Sequence, residues 1–146
     1  MKNGKLVPYL VIVVVVVFSA ALIALAATKP PDEITIKPAI WPSPTKGAVT
    51  FSHKKHVAEL KLACTQCHHI WKDGKNVFKE GDDVKQCDSC HTEATVTGET
   101  KLPPDQQKLN LKIAFHKNCQ PCHIKTKSEN PQSKAPTMCP QCHGAK

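Results

Sequence analysis

Eight cysteines fall into four Cys-x-x-Cys-His units with none left over: Cys64-Thr-Gln-Cys67-His68, Cys87-Asp-Ser-Cys90-His91, Cys119-Gln-Pro-Cys122-His123 and Cys139-Pro-Gln-Cys142-His143. A Cys-x-x-Cys pair followed at once by His is the spacing of a c-type haem attachment site. The two thiols form thioethers with the porphyrin vinyl groups, and the adjoining His is held beneath the iron as an axial ligand. Paired Cys-x-x-Cys units also build Cys₄ zinc sites, and eight cysteines in a small exported chain also build disulfide frameworks. Neither needs a His after every second Cys, so the pattern implies four covalent haems.

The histidine count extends the argument. Of the eight His, four lie outside the motifs: His53, His56, His69 and His116. Four six-coordinate irons need four distal ligands, and the numbers match. The Met residues are Met1, at the N-terminus, and Met138, which adjoins Cys139 and is too near it to reach the far face of that haem. Bis-His ligation of every iron is therefore expected. Met raises a haem potential, so an all-imidazole set implies low potentials. A six-coordinate iron also leaves no position for a substrate, which favours electron transfer over bond-making chemistry. Two alternatives remain at this stage. A small multihaem reductase would leave one of His53, His56, His69 or His116 unligated, and a filament-forming conduit would take a ligand from another subunit.

Adjacency constrains the arrangement. His68 serves its own motif, so His69 must point to a second haem. With neighbouring Cα atoms about 3.8 Å apart and each iron roughly 6.5 Å from its Cα, two such irons lie at most about 17 Å apart. His53 and His56 are three residues apart, on one face of a helix, and can reach two neighbouring haems. The ligand spacing implies a compact cluster.

These residues must be positioned by a short chain. The 146 residues divide into a leader (1–27), a proline-rich stretch (28–47) and a haem domain (48–146). In the leader, Lys2 and Lys5 precede an apolar run from Leu6 to Ala27, and Ala24-Leu25-Ala26 resembles a signal cleavage site. The run is also long enough to span a bilayer. The leader is either a signal anchor, the expectation preferred here, or a cleaved signal peptide. Both place the rest of the chain on the extracytoplasmic side. The proline-rich stretch reads as a semi-rigid spacer with a short strand at 34–37, and Trp41 either packs on the haem domain or lies near the membrane interface. Ser52 is placed to cap a helix from about His53 to Leu62. A second helix is expected from Pro103–Pro104 towards Cys119, with Leu109, Ile113 and His116 on one face. Lys72-Asp-Gly-Lys75 and Gly81-Asp82-Asp83 read as turns. Aromatic residues are few, so four porphyrins must supply apolar interior and regular structure should be sparse.

Every basic residue is Lys; there is no Arg among the twenty. That argues against nucleic-acid readout, in which Arg dominates base contacts. Part of the formal charge of +8 sits in the leader, and haem propionates offset much of the rest. Lys117, Lys125, Lys127, Lys134 and Lys146 gather around the third and fourth motifs, either as a solubilising surface or as a docking face for an acidic redox partner.

The order Phe51-Ser-His53-Lys-Lys-His56, then Cys64-x-x-Cys67-His68-His69, then three further motifs with His116 just before the third, resembles the class III cytochromes c. These are the tetrahaem cytochromes of anaerobic bacteria. The resemblance covers about residues 46–146. It implies a small, mostly irregular and α-helical fold with short helices and a minimal two-stranded sheet wrapped round four haems. It implies the pairs His53 with His68, His69 with His91, His56 with His123, and His116 with His143. It further implies a periplasmic carrier in anaerobic respiration, exchanging electrons with a hydrogenase, a formate dehydrogenase or a quinone-linked membrane complex, and a lysine-rich docking surface near the fourth haem. Two features depart from the family. All four motifs here have two residues between the cysteines, where many members have four in the second and fourth. The long leader and proline-rich stretch suit a membrane-tethered variant or a subunit of a larger complex.

Overall fold

The structure, a computed structural model, describes residues 30–144. The expected leader, 1–27, lies outside them. Among the described residues no helix is long and apolar enough to cross a membrane.

Strand β1 (Glu33–Ile36) pairs antiparallel with β2 (Val49–Ser52), Glu33 opposite Ser52 and Ile36 opposite Val49. The strand expected at 34–37 forms one residue earlier. Ile34, Thr35 and Ile36 face Phe51, Thr50 and Val49, a β-branched and aromatic set that suits cross-strand packing. The proline-rich stretch makes hydrogen bonds to later residues. The Lys54 N–H donates to the Asp32 carbonyl (3.0 Å), and the Trp41 indole N–H donates to the Ala94 carbonyl (2.8 Å). Pro31 onward clusters with the haem motifs, and Trp41 packs on that unit.

β2 runs into a helical turn that Ser52 caps, its Oγ accepting the Lys55 N–H at 3.4 Å. The turn is wound as a π-helix over Lys55–Glu59, shorter and wider than the α-helix expected to Leu62. It stops where Lys61 takes a left-handed φ of 57°. A second two-stranded sheet joins β3 (Trp71–Lys72) to β4 (Lys75–Asn76). Asp73 and Gly74 between them have φ of 50° and 73°, the two left-handed positions of a type I′ hairpin turn. The expected turn is thus the tip of a hairpin.

The expected single helix after Pro103 is two: α1 (Pro104–Leu109) and α2 (Leu111–Glu129). Asn110 stays extended (φ −73°, ψ 119°), and its side chain accepts the Ile113 N–H at 2.9 Å as the N-cap of α2. The Glu93 backbone bridges the break, donating to Leu109 O and accepting from Leu111 N, both at 3.0 Å. Leu109 is therefore exposed, and the buried face belongs to Leu111 and Ile113. α2 runs 19 residues, longer than the short helices expected, and carries the third motif with Pro121 inside it. A one-turn helix, α3 (Cys139–Cys142), holds the fourth.

Among the described residues the buried apolar side chains are Phe78, Leu111 and Ile113. So small a core cannot alone offset the chain entropy lost on folding. It fits a fold whose interior is shared with four porphyrins.

Candidate haem-binding site

Each motif folds as a single tight turn. Cys64–Gln66 and Cys87–Ser89 are 3₁₀ turns, Cys119–Cys122 lies within α2, and Cys139–Cys142 is α3. In the first, second and fourth motifs the His N–H donates to the carbonyl of the leading Cys, at 2.8, 2.9 and 2.9 Å for His68, His91 and His143. Residues three apart share a face of such a turn, so both thiols of a motif point the same way. No disulfide joins any of the eight. Among the described residues no cluster of three or more His, Cys, Asp or Glu side chains is arranged around a metal-ion position. The thiols are therefore arrayed as separate pairs, neither as Cys₄ sites nor as a disulfide framework. Burial pushes the Cys67 and Cys119 thiols above their usual range, and mutual repulsion adds to it: Cys122 and Cys64 act on Cys67, and Cys67, Cys142, Cys87 and Cys122 act on Cys119. Cysteines of all four motifs are thus close enough to act on one another.

The histidines meet in four pairs, each joining a motif His to one outside the motifs. Ring centroids lie 6.5 Å apart for His53 and His68, 6.0 Å for His69 and His91, 6.0 Å for His56 and His123, and 6.4 Å for His116 and His143. Two imidazoles bound to one metal from opposite sides, with metal–nitrogen bonds of about 2.0 Å and a nitrogen-to-centroid distance of about 1.1 Å, have centroids about 6.2 Å apart. The observed spacings match. Concavities border both members of the last pair: His116 lines one with Lys117, Gln120, Pro121 and Ile124, and His143 lines the other with Thr45, Lys46, Gly47, Cys139 and Pro140. The chain thus fits haem at these positions.

Hydrogen bonds fix ring orientation. His56 Nδ1 lies 2.8 Å from Ser52 O, His91 Nδ1 2.9 Å from Lys108 O, His123 Nδ1 2.9 Å from Pro136 O and His143 Nδ1 3.0 Å from Gly47 O. A carbonyl only accepts, so each Nδ1 carries the proton and each Nε2 keeps its lone pair, the tautomer a metal ligand needs. Burial, followed by the charges of His53 and His69, lowers the His68 pKa. Burial, then Lys112 and His143, lowers that of His116 against a smaller opposing pull from Glu99. Both shifts favour the neutral ring over the charged one.

Supporting residues escaped the sequence reading. Asn110, fully buried, donates through Nδ2 to Glu93 Oε2 and to Thr95 O (2.8 Å), holding the segment after His91 against the start of α2. Hydrogen bonds from Thr95 and Asn110 hold the Glu93 carboxyl below the usual range. Asn before an apolar helical run is an N-cap signal that would have located the break. Nothing local marks Asn76, which binds the backbone around the first motif.

A fold of small helices and minimal sheets carrying four Cys-x-x-Cys-His turns defines a multihaem c-type cytochrome. The chain belongs to the class III cytochrome c family, whose model matches residues 26–143. It is 34% identical over 118 residues to a cytochrome c3 of Maridesulfovibrio salexigens, covering 80% of this chain and 96% of that protein. It is 30% identical over 118 residues to a "cytochrome c3, 26 kDa" of Desulfomicrobium norvegicum, covering 77% of this chain and 94% of that one. The chain accordingly binds four c-type haems and is a multihaem electron-transfer protein that works with redox partners.

Proposed function

We propose that the chain is a low-potential relay whose four haems are each held by two histidines: His53 with His68, His69 with His91, His56 with His123 and His116 with His143. The observation that carries this is the pairing itself. All eight imidazoles fall into pairs with centroid spacings of 6.0–6.5 Å. Bound haem supplies one-electron chemistry. Cys64, Cys67, Cys87, Cys90, Cys119, Cys122, Cys139 and Cys142 tether it. The carbonyls of Ser52, Lys108, Pro136 and Gly47 keep four of the imidazoles oriented. Ligands that do not rearrange between redox states favour rapid exchange. A reductase would need an unpaired histidine, and the pairing of all eight supports the relay reading.

The relay works on the extracytoplasmic side, tethered by residues 6–27 or released by cleavage after Ala24-Leu25-Ala26. It exchanges electrons with an enzyme such as a hydrogenase or formate dehydrogenase, or with a quinone-linked membrane complex, in anaerobic respiration. Electron paramagnetic resonance of the ferric protein, with carbon monoxide titration of the ferrous protein, tests the ligation. Four low-spin signals and no carbon monoxide binding at neutral pH are expected. A high-spin signal in the native protein would refute it.

A further inference from the structure

We infer that Asn76 is the positioning residue of the tandem His68–His69, fixing the direction of His69 relative to His68. The inference rests on the assignment of these histidines to the first and second haems.

The side-chain amide of Asn76 uses all of its hydrogen-bonding capacity. Oδ1 accepts the N–H of Ile70 (3.0 Å) and of Phe78 (3.1 Å). Nδ2 donates to the carbonyls of His68 (3.1 Å) and Thr65 (3.5 Å). Turning the amide over would set its donors against two N–H groups and its oxygen against two carbonyls, so the orientation is unambiguous. Two of these contacts straddle His69. One holds the carbonyl that precedes it, and the other holds the N–H that follows it. The peptide planes on both sides of His69 are thereby fixed, and so is the backbone from which its ring projects.

The same amide fixes the far side of the first site. Through the Phe78 N–H it sets the buried Phe78, whose ring centroid is 5.4 Å from that of His68. His68 faces His53 and His69 faces His91, so two adjacent residues point at different partners. A hairpin of two residues per strand has little stability of its own. Here Val77 N–H to Ile70 O (2.8 Å) and the Asn76 amide bind it to the first motif. The hairpin is in effect a bracket that carries Asn76 to the backbone of His68–His69.

Asn76→Ala in the full-length tetrahaem protein, read by electron paramagnetic resonance, tests this. Its g values follow the relative orientation of the two axial rings at each iron. The expected result is a shift in two of the four low-spin signals, those of the haems at Cys64/Cys67 and Cys87/Cys90, with the other two unchanged. Four unchanged signals, or four altered together, overturn the inference. If Asn76→Ala does not mature with all its haems, Asn76→Asp keeps both acceptor bonds but loses the donors to His68 O and Thr65 O and sets a carboxylate oxygen against those carbonyls. A shift confined to the same two signals then supports the inference, and no shift overturns it. His69→Ala separates the two levels of the argument. If it leaves all four irons low-spin, the pairing itself fails and this inference with it. If it opens the second haem while both Asn76 variants leave every signal in place, the pairing stands and only the role of Asn76 falls.

Discussion

The imidazole of His143 donates from Nδ1 to the carbonyl of Gly47 at 3.0 Å, across 96 positions of sequence. The start of the domain thus orients the motif His at its end. Gly144 N–H adds a longer contact to Ala48 O at 3.4 Å. Removing residues 31–47 takes away both the Gly47 carbonyl and β1. We expect such a protein to keep its covalent haems while the signal of the haem at Cys139/Cys142 shifts, and spectroelectrochemical titration against the intact protein checks this. An unchanged fourth haem would mean that the Gly47 bond orients nothing.

Trp41→Phe should be mild and structural. It removes the indole N–H that meets Ala94 O and keeps most of the ring. A lost hydrogen bond of this kind costs about 0.5–1.5 kcal/mol. Denaturant unfolding should show a loss in that range with haem content unaltered.

Asn110→Ala should cost more. It deletes the N-cap of α2, worth about 0.5–2 kcal/mol, and in addition leaves Glu93 and Thr95 O short of a donor. Asn110→Asp keeps the cap acceptor but sets a second carboxylate beside Glu93, whose own carboxyl is held low by Thr95 and Asn110. That variant should be least stable near neutrality and recover as the pH falls and one of the pair takes up a proton. Thermal melts across pH distinguish the two variants.

The acid limb of stability should depend on Glu99. Its carboxylate meets Lys112 Nζ at 2.6 Å in a part-buried pair, and the hydrogen bond from Lys112 holds its carboxyl below the usual range. A depressed folded value means that the contribution is present above the unfolded value of about 4.3 and is lost as the pH falls through the folded one. Glu99→Gln should therefore lower stability at neutral pH and flatten the profile below about pH 4. An acid limb as steep as that of the parent protein would discount the pair.

Docking is tested through lysines. Lys117 and Lys134 are exposed, whereas Lys127 donates to Ser133 O (2.6 Å) and Lys125 lies 3.8 Å from Glu129. Replacing Lys117 and Lys134 by Glu should slow electron exchange with an acidic partner at low salt and flatten its salt dependence. Slowing by changes at Lys54 and Lys55 instead would move the docking face to the first and third haems.

The chemistry of this chain was more legible than its scaffold. Covalent attachment needs fixed local spacing, so all four motifs could be read from the residues alone. The Asp73-Gly74 turn was legible because two successive left-handed positions favour those residues. The break at Asn110 was masked despite its N-cap residue, because the apolar spacing of Leu109 and Ile113 continues across it and the Glu93 backbone that bridges it is distant in sequence. The length of α2 was hidden by Pro121, usually a helix breaker. The proline-rich stretch concealed its attachment because Ala94 and His143, which hold it, are set by tertiary packing.

The scarcity of buried apolar side chains bears on the order of biogenesis. Among the described residues little beyond Phe78, Leu111 and Ile113 is enclosed, so they gain little by folding ahead of the prosthetic groups. The thiols then stay accessible for thioether formation, and collapse would follow ligation, as in proteins whose metal binding and folding are one equilibrium. Each haem joined to the chain would act as a cross-link that shortens the search for the next imidazole partner. The pairs nearest in sequence, His53 with His68 and His69 with His91, would close first, and the long closure from Gly47 to His143 would come last.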